Sequence, residues 1–204
     1  MALYKVCIRI KTDCEIIKFA SREQVIEILD IRFINEDNVR HLIKIPVNII
    51  RSELVSHPFN KFNVIKIDKD KKFCIIDVWK SPCSICRILR NENVYMIKAR
   101  ASKPAIVNYI FTCDEYALKR IRDIFEENKF EYSIEILNEN NTVLTPRQEY
   151  ILSLAFDLGY FDYPHRITLE ELAEILGMSP SALSETLRRA IKRLIINYLT
   201  QSKS

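Results

Sequence analysis

The stretch Thr168-Leu-Glu-Glu-Leu-Ala-Glu-Ile-Leu-Gly-Met-Ser-Pro-Ser-Ala-Leu-Ser-Glu-Thr-Leu-Arg-Arg-Ala190 holds two helix patterns joined by a very short turn. Thr168 starts the first helix, and Glu171 three residues on completes a capping box. Leu169, Leu172, Ala173 and Leu176 recur at helical spacing and give that helix one apolar face. Ala173 is small where two crossing helices must approach closely. Gly177 follows the last apolar residue, where a left-handed cap suits glycine. Met178 can plug the gap between the helices. Ser179 caps the second helix, and Pro180 takes its first position, where a missing N–H costs nothing. Leu183, Leu187, Ile191, Leu194 and Ile195 continue a second apolar face. The pattern as a whole is that of a helix-turn-helix.

The polar positions of the second helix point to its use. Ser179, Ser181, Ser184, Glu185 and Arg188 fall outside the apolar face near its start, followed by Arg189, Lys192 and Arg193. Small polar residues let a helix end sink into a major groove, and arginines suit guanine edges or phosphates. The competing reading is a helical hairpin that binds protein and carries a solvated basic face. Thr186 is a misfit, because an aliphatic residue would pack better there; Leu187 takes that role.

The preceding segment extends the module. Thr145-Pro-Arg-Gln148 is another capped start, followed by the stripe Tyr150, Ile151, Leu154, Ala155 and Leu158 and a stop at Gly159. Leu144-Thr-Pro-Arg-Gln148, Gly159-Tyr-Phe-Asp-Tyr-Pro164, Thr168-Leu-Glu-Glu-Leu-Ala173, Ser179-Pro-Ser-Ala-Leu-Ser184 and Leu187-Arg-Arg-Ala190 are the motifs of one family. Over roughly residues 144–195 the chain resembles the helix-turn-helix of archaeal bacterio-opsin activator-like regulators. The resemblance implies a transcription regulator. His165 before Arg166 is the one departure. The likeness to bacterial sigma-factor and response-regulator output domains is looser and lacks the aromatic linker.

Composition sets further bounds. With 48% hydrophobic and 28% charged residues the chain is that of a folded protein, long enough for one large or two small domains. No apolar run approaches a membrane span and no signal pattern opens the chain, so a cytoplasmic location is expected. Acidic and basic residues balance from Thr145 onward, and the net charge is only +4; the case for DNA is local, resting on Arg188, Arg189, Lys192 and Arg193. The only two glycines are Gly159 and Gly177, which excludes a P-loop or a dinucleotide fingerprint in the first 158 residues. His41, His57 and His165 sit in no protease or triad pattern, so an enzyme has little support.

The N-terminal part reads as α+β. Lys72–Trp79 is a strand, Ser81–Leu89 a helix with Ser81 as cap, Asn93–Ala99 and Ala105–Thr112 two strands, and Glu131–Leu137 a closing strand. Between them a helix opens near Thr112, with Leu118, Ile121, Ile124 and Phe125 as its stripe. The order β-α-β-β-α-β is the ferredoxin-like split unit. Residues 3–68 can be parsed alike: strands Leu3–Lys11, Val25–Ile34, Val39–Ile45 and Phe62–Asp68, an irregular Cys14–Gln24 and a helix Val47–Val55. Lys5-Val-Cys-Ile-Arg-Ile lines up with Lys72-Phe-Cys-Ile-Ile-Asp, so two tandem ferredoxin-like units are expected, residues 1–70 and 71–140, before a helical domain at 144–204. Chance similarity of two β-rich stretches is the alternative. By fold-level analogy such units sense a small effector or form dimers, and a homodimer is expected.

Of six cysteines, Cys7, Cys74 and Cys113 read as small core residues. Cys83 and Cys86 form Cys-x-x-Cys at a helix start beside Lys80 and Arg87, which favours thiolate at Cys83. Cys14 occupies the equivalent place after the first strand. Three readings stand: a redox pair, a soft-metal site such as zinc with Cys14 or His57 as added ligands, or inert thiols. Three functions follow: a DNA-binding regulator, a thiol oxidoreductase using Cys83 and Cys86, or an adaptor that binds the transcription machinery through its helical end.

Overall fold

The computed structural model describes residues 3–21, 24–52, 59, 61–68, 72–92, 94–139 and 143–201. They fall into two compact units, 1–139 and 140–204.

In the first unit eight strands make one antiparallel sheet: β1 (Leu3–Lys11), β2 (Ile26–Phe33), β3 (Val39–Pro46), β4 (Lys61–Asp68), β5 (Phe73–Lys80), β6 (Val94–Ser102), β7 (Ile106–Asp114) and β8 (Tyr132–Glu139). Helix α1 (Val47–Ser52) follows β3, α2 (Ser84–Asn91) follows β5, and α3 (Glu115–Glu127) follows β7; a 3-10 turn, Glu15–Phe19, follows β1. Alternation decides which side is buried. Val6, Ile8 and Ile10 of β1, Ile43 and Ile45 of β3, Cys74, Ile76 and Val78 of β5, and Tyr109, Phe111 and Cys113 of β7 enter one core. The 3-10 turn and α2 bring Ile16, Phe19, Ile85 and Leu89 into the same core. Burying each large aliphatic side chain there contributes roughly 1.5–3 kcal/mol. The opposite sheet face is mixed: Leu42 and Ile75 are buried on it, and Glu27 meets Lys44 at 3.2 Å, Lys98 at 3.1 Å and Arg100 at 3.4 Å. Cys7 lies half-buried outside that core, so of the three strand cysteines only Cys74 and Cys113 are core residues.

The strand order, β4-β5-β3-β2-β6-β7-β1-β8, corrects the expectation of two self-contained units at 1–70 and 71–140. β1 pairs not with β3 and β4 but with β7 and β8, while β5 pairs with β3 and β4. Each half of the sheet thus borrows its first strand from the other half of the sequence, and β2–β6 pairing closes the middle. β1 and β5 each bring three apolar side chains to the core face, Val6, Ile8 and Ile10 from one and Cys74, Ile76 and Val78 from the other. Helix α2 also begins later than expected: Cys83, not Ser81, is its N-cap residue. The helix expected over Val47–Val55 is present as Val47–Ser52, and its remaining three residues lie outside the described ones. So does His57.

The second unit is all helix: α4 (Pro146–Leu158), α5 (Leu169–Leu176) and α6 (Pro180–Gln201). Both predicted capping boxes form, Thr145 with Gln148 and Thr168 with Glu171. Gly159 and Gly177 end their helices in the left-handed region, at φ 80° and 60°. At Gly159 space is also limiting: a Cβ there would lie 2.8 Å from Asp162 Oδ2 and 2.9 Å from Arg166 Cδ. Asp162 and Arg166 form an ion pair at 2.7 Å, and both their amides donate to the Gly159 carbonyl, so the linker is wound tightly around this glycine.

Candidate nucleic-acid interface and thiol cluster

Helix α6 is set by its N-terminal end. Ser179 Oγ accepts from the Ala182 amide at 3.3 Å, as a capping serine does. Met178 N donates to the Ala173 carbonyl at 2.9 Å, which closes the turn after α5. Leu183, Leu187 and Ala190 of α6 are buried, as are Leu172, Ala173 and Leu176 of α5, and the two helices pack together. The Thr186 hydroxyl donates to the Ala182 carbonyl at 2.8 Å, which satisfies the one misfit residue.

This packing leaves Ser179, Ser181, Ser184, Arg188, Arg189, Lys192 and Arg193 exposed and Glu185 half-buried. Four of the charged residues are already engaged. Glu185 accepts from Arg188 through both oxygens, at 2.9 and 2.8 Å, and from Arg189 Nε at 2.6 Å. Those hydrogen bonds hold the Glu185 carboxyl down to about 2. Arg193 Nη1 donates to Gln148 Oε1 at 2.9 Å, and the same oxygen accepts from the Thr145 amide at 3.1 Å. Arg193 therefore braces α6 against the α4 cap, a role that its position in the basic run did not reveal. The apolar face of α6 also ends sooner than expected: Ile191 is half-buried, but Leu194 and Ile195 are 39% and 52% exposed. The linker presents Phe161 and Tyr163, the latter fully exposed, while Tyr160 stacks on His165.

The residues from 144 to 196 match the family described as HTH DNA binding domain. They form a bacterio-opsin activator-type helix-turn-helix domain. The chain is also similar to a Haloferax volcanii protein named "Putative transcriptional regulator", with 43% identity over 58 residues, which is 28% of this chain and 10% of that protein. The similarity therefore spans about a tenth of the relative's length. No solved structure matches the chain. No helix among the described residues is long and apolar enough to cross a membrane.

In the first unit the strand exchange has a chemical consequence. β1 leads into the 3-10 turn and then β2; β5 leads into α2 and then β6. The two crossovers run in opposite directions over the middle of the sheet, and Cys14 and Cys83 are the N-cap residues of both. Cys14, Cys83 and Cys86 are all buried. Cys83 Sγ lies 3.5 Å from Cys86 Sγ, and Cys86 Sγ lies 3.6 Å from His41 Nε2. Hydrogen bonds from the Cys14 and Cys86 thiols, then the Cys86 amide and the nearby Lys80 ammonium, draw Cys83 well below the ordinary thiol range. The same sharing pushes Cys14 and Cys86 up. Arg87, expected to help Cys83, instead donates to the Pro82 carbonyl at 3.2 Å. Nothing in the sequence marks His41 for this place, since only the pairing of β3 beside β5 carries it to the cluster.

Proposed function

We propose that this protein is a sequence-specific, double-stranded-DNA-binding transcription regulator that reads the major groove with the first turns of α6. The observation that carries this reading is the exposed face Ser181, Ser184 and Arg188 at the capped end of a helix whose other face is packed on α5. Ser179, Ser181 and Ser184 are small enough for close approach to the bases; on this reading Arg188 takes a base edge, and Arg189 and Lys192 take phosphates. The relative's name agrees with this role. A thiol oxidoreductase needs a sulfur open to substrate, and the buried Cys83 and Cys86 do not favour one. The adaptor reading predicts binding that survives loss of the exposed arginines.

The first unit is the sensing or dimerising part, and we read its sheet as two ferredoxin-like halves that have traded first strands. One helix-turn-helix module buries little surface, and regulators commonly gain affinity with two half-sites. Leu194, Ile195, Tyr198 and Leu199 give α6 an exposed apolar end suited to a second copy. A homodimer is the expected result of sedimentation at micromolar concentration, and monomer alone, with and without DNA, would sink this part of the reading.

Duplex binding is tested by its salt dependence. A dimer that places Arg189 and Lys192 of each copy on phosphates makes four such contacts, with a log–log slope of about −3.6. Between 50 and 200 mM salt that slope weakens binding roughly a hundredfold. Fluorescence anisotropy with a selected duplex checks it. A flat salt response, or equal affinity for selected and scrambled duplexes, speaks against the reading.

A further inference from the structure

We propose that Cys14, Cys83, Cys86 and His41 form a binding site for one soft divalent metal ion of the zinc type, with three sulfurs and one imidazole nitrogen as ligands. The inference concerns the first unit alone and stands or falls independently of DNA binding.

Distance is the first argument. With Zn–S near 2.3 Å and Zn–N near 2.0–2.1 Å, a tetrahedral site of three sulfurs and one nitrogen has sulfur–sulfur edges of about 3.8 Å and sulfur–nitrogen edges of about 3.6 Å. The observed Cys83–Cys86 separation is 3.5 Å and the Cys86–His41 separation 3.6 Å, close to two edges of that figure. Cys14 is the third buried sulfur and lies beside Cys83, at the cap of the other crossover.

The imidazole is the second argument. His41 is fully buried on the core face of β3, between the apolar positions of neighbouring strands. Its Nδ1 has no hydrogen-bond partner, and the neighbour of its Nε2 is a sulfur. Hydrogen bonding within the protein therefore does not explain why a polar ring sits here, and such burial is costly.

Charge is the third. Three thiolates around a dication leave one net negative charge in the core. The Lys80 side chain, only 1% exposed, lies beside the cluster and supplies one positive charge. The core cysteines Cys74 and Cys113 lack such surroundings; burial simply pushes their thiols up to about 12.

No three donors among the described residues already stand as a finished cage. Ion capture therefore includes a closing movement of these side chains. Because Cys14 sits on one crossover and Cys83 and Cys86 on the other, that movement would fasten the two exchanged halves together.

The test uses the full chain, reduced and freed of metal, titrated with cobalt(II) and then zinc. The expected result is one equivalent per chain, with a thiolate-to-cobalt charge-transfer band and the intense visible bands of tetrahedral cobalt, both abolished as zinc displaces it. Cys14→Ser, Cys83→Ser, Cys86→Ser and His41→Ala should each weaken zinc binding by on the order of a hundredfold or more, since even supporting groups around metal ligands are worth 10–100-fold. Cys74→Ser, equally buried, should bind like wild type. Should a ligand variant not fold, the number of thiolates read from the wild-type cobalt spectrum decides. Absence of the charge-transfer band overturns the site. So does unchanged binding in Cys14→Ser or His41→Ala, or a Cys83–Cys86 disulfide whose reduction is followed by no metal uptake.

Discussion

A chain carrying Arg188→Ala and Arg189→Ala is expected to lose selective DNA binding while keeping its fold. Both side chains are exposed, and neither contributes to the Leu183–Leu187–Ala190 packing face. Removing a base-reading arginine costs roughly tenfold to a hundredfold in affinity and relaxes specificity at one position. Removing a phosphate contact weakens all sequences alike and lowers the salt slope by about one. The two single variants should therefore differ in kind: Arg188→Ala in discrimination, Arg189→Ala in slope. Glu185 adds a sign to the prediction. Its carboxylate holds both guanidinium groups at 2.6–2.9 Å in the free protein. Such an exposed cluster contributes little stability, but it must open before either arginine reaches DNA. A carboxylate near phosphates is also repulsive. Glu185→Ala should therefore bind scrambled duplex more tightly and with a steeper salt slope. Anisotropy titrations of all four proteins against selected and scrambled duplexes check this. Unchanged affinity in the folded double variant would remove α6 from the DNA interface, and weaker non-specific binding by Glu185→Ala would show that its carboxylate itself donates to recognition.

What could be read from the sequence was what is local. Capping boxes at Thr145 and Thr168 and left-handed stops at Gly159 and Gly177 need only neighbours within a few residues, and they placed α4, α5 and the start of α6 closely. Period-two alternation likewise located the strands. It could not say which strand lies beside which: β1 and β5 both bring three apolar side chains to the core face, so their exchange is invisible to any window shorter than the chain. The thiol cluster shares that fate. Cys83 and Cys86 announce themselves by spacing, but Cys14 and His41 join them only through the exchange and through β3–β5 pairing. Arg193 and the α6 tail failed in another way. A basic run and an apolar stripe look uniform in sequence, yet Gln148 claims Arg193, and the core beneath α6 ends at Ala190, with Ile191 half-covered beyond it.

Arg40→Ala should destabilise the first unit by about 3–5 kcal/mol, the usual cost of removing one partner of a buried ion pair. Arg40 Nε meets Asp77 Oδ1 at 2.8 Å across the β3–β5 ladder, with side-chain exposures of only 17% and 5%. The other Asp77 oxygen has the Trp79 indole N–H at 3.5 Å, a long and weak contact. Without Arg40, the Asp77 carboxylate would keep its burial and lose its charge partner. Because β5 is the strand that the second half of the sequence lends to the first, this pair also pins the exchange. Trp79 is the chain's single tryptophan and lies on the strand in question, so its fluorescence reports unfolding of this unit rather than of the helical one. Urea unfolding followed at Trp79 should show a lower midpoint with an unchanged slope. Asp77→Leu placed on top of Arg40→Ala should recover much of the loss, because it removes the stranded charge. A midpoint shift worth less than about 1 kcal/mol, the level of a surface pair, would mean that water reaches Asp77 and that the exchanged strand is held by its apolar face alone.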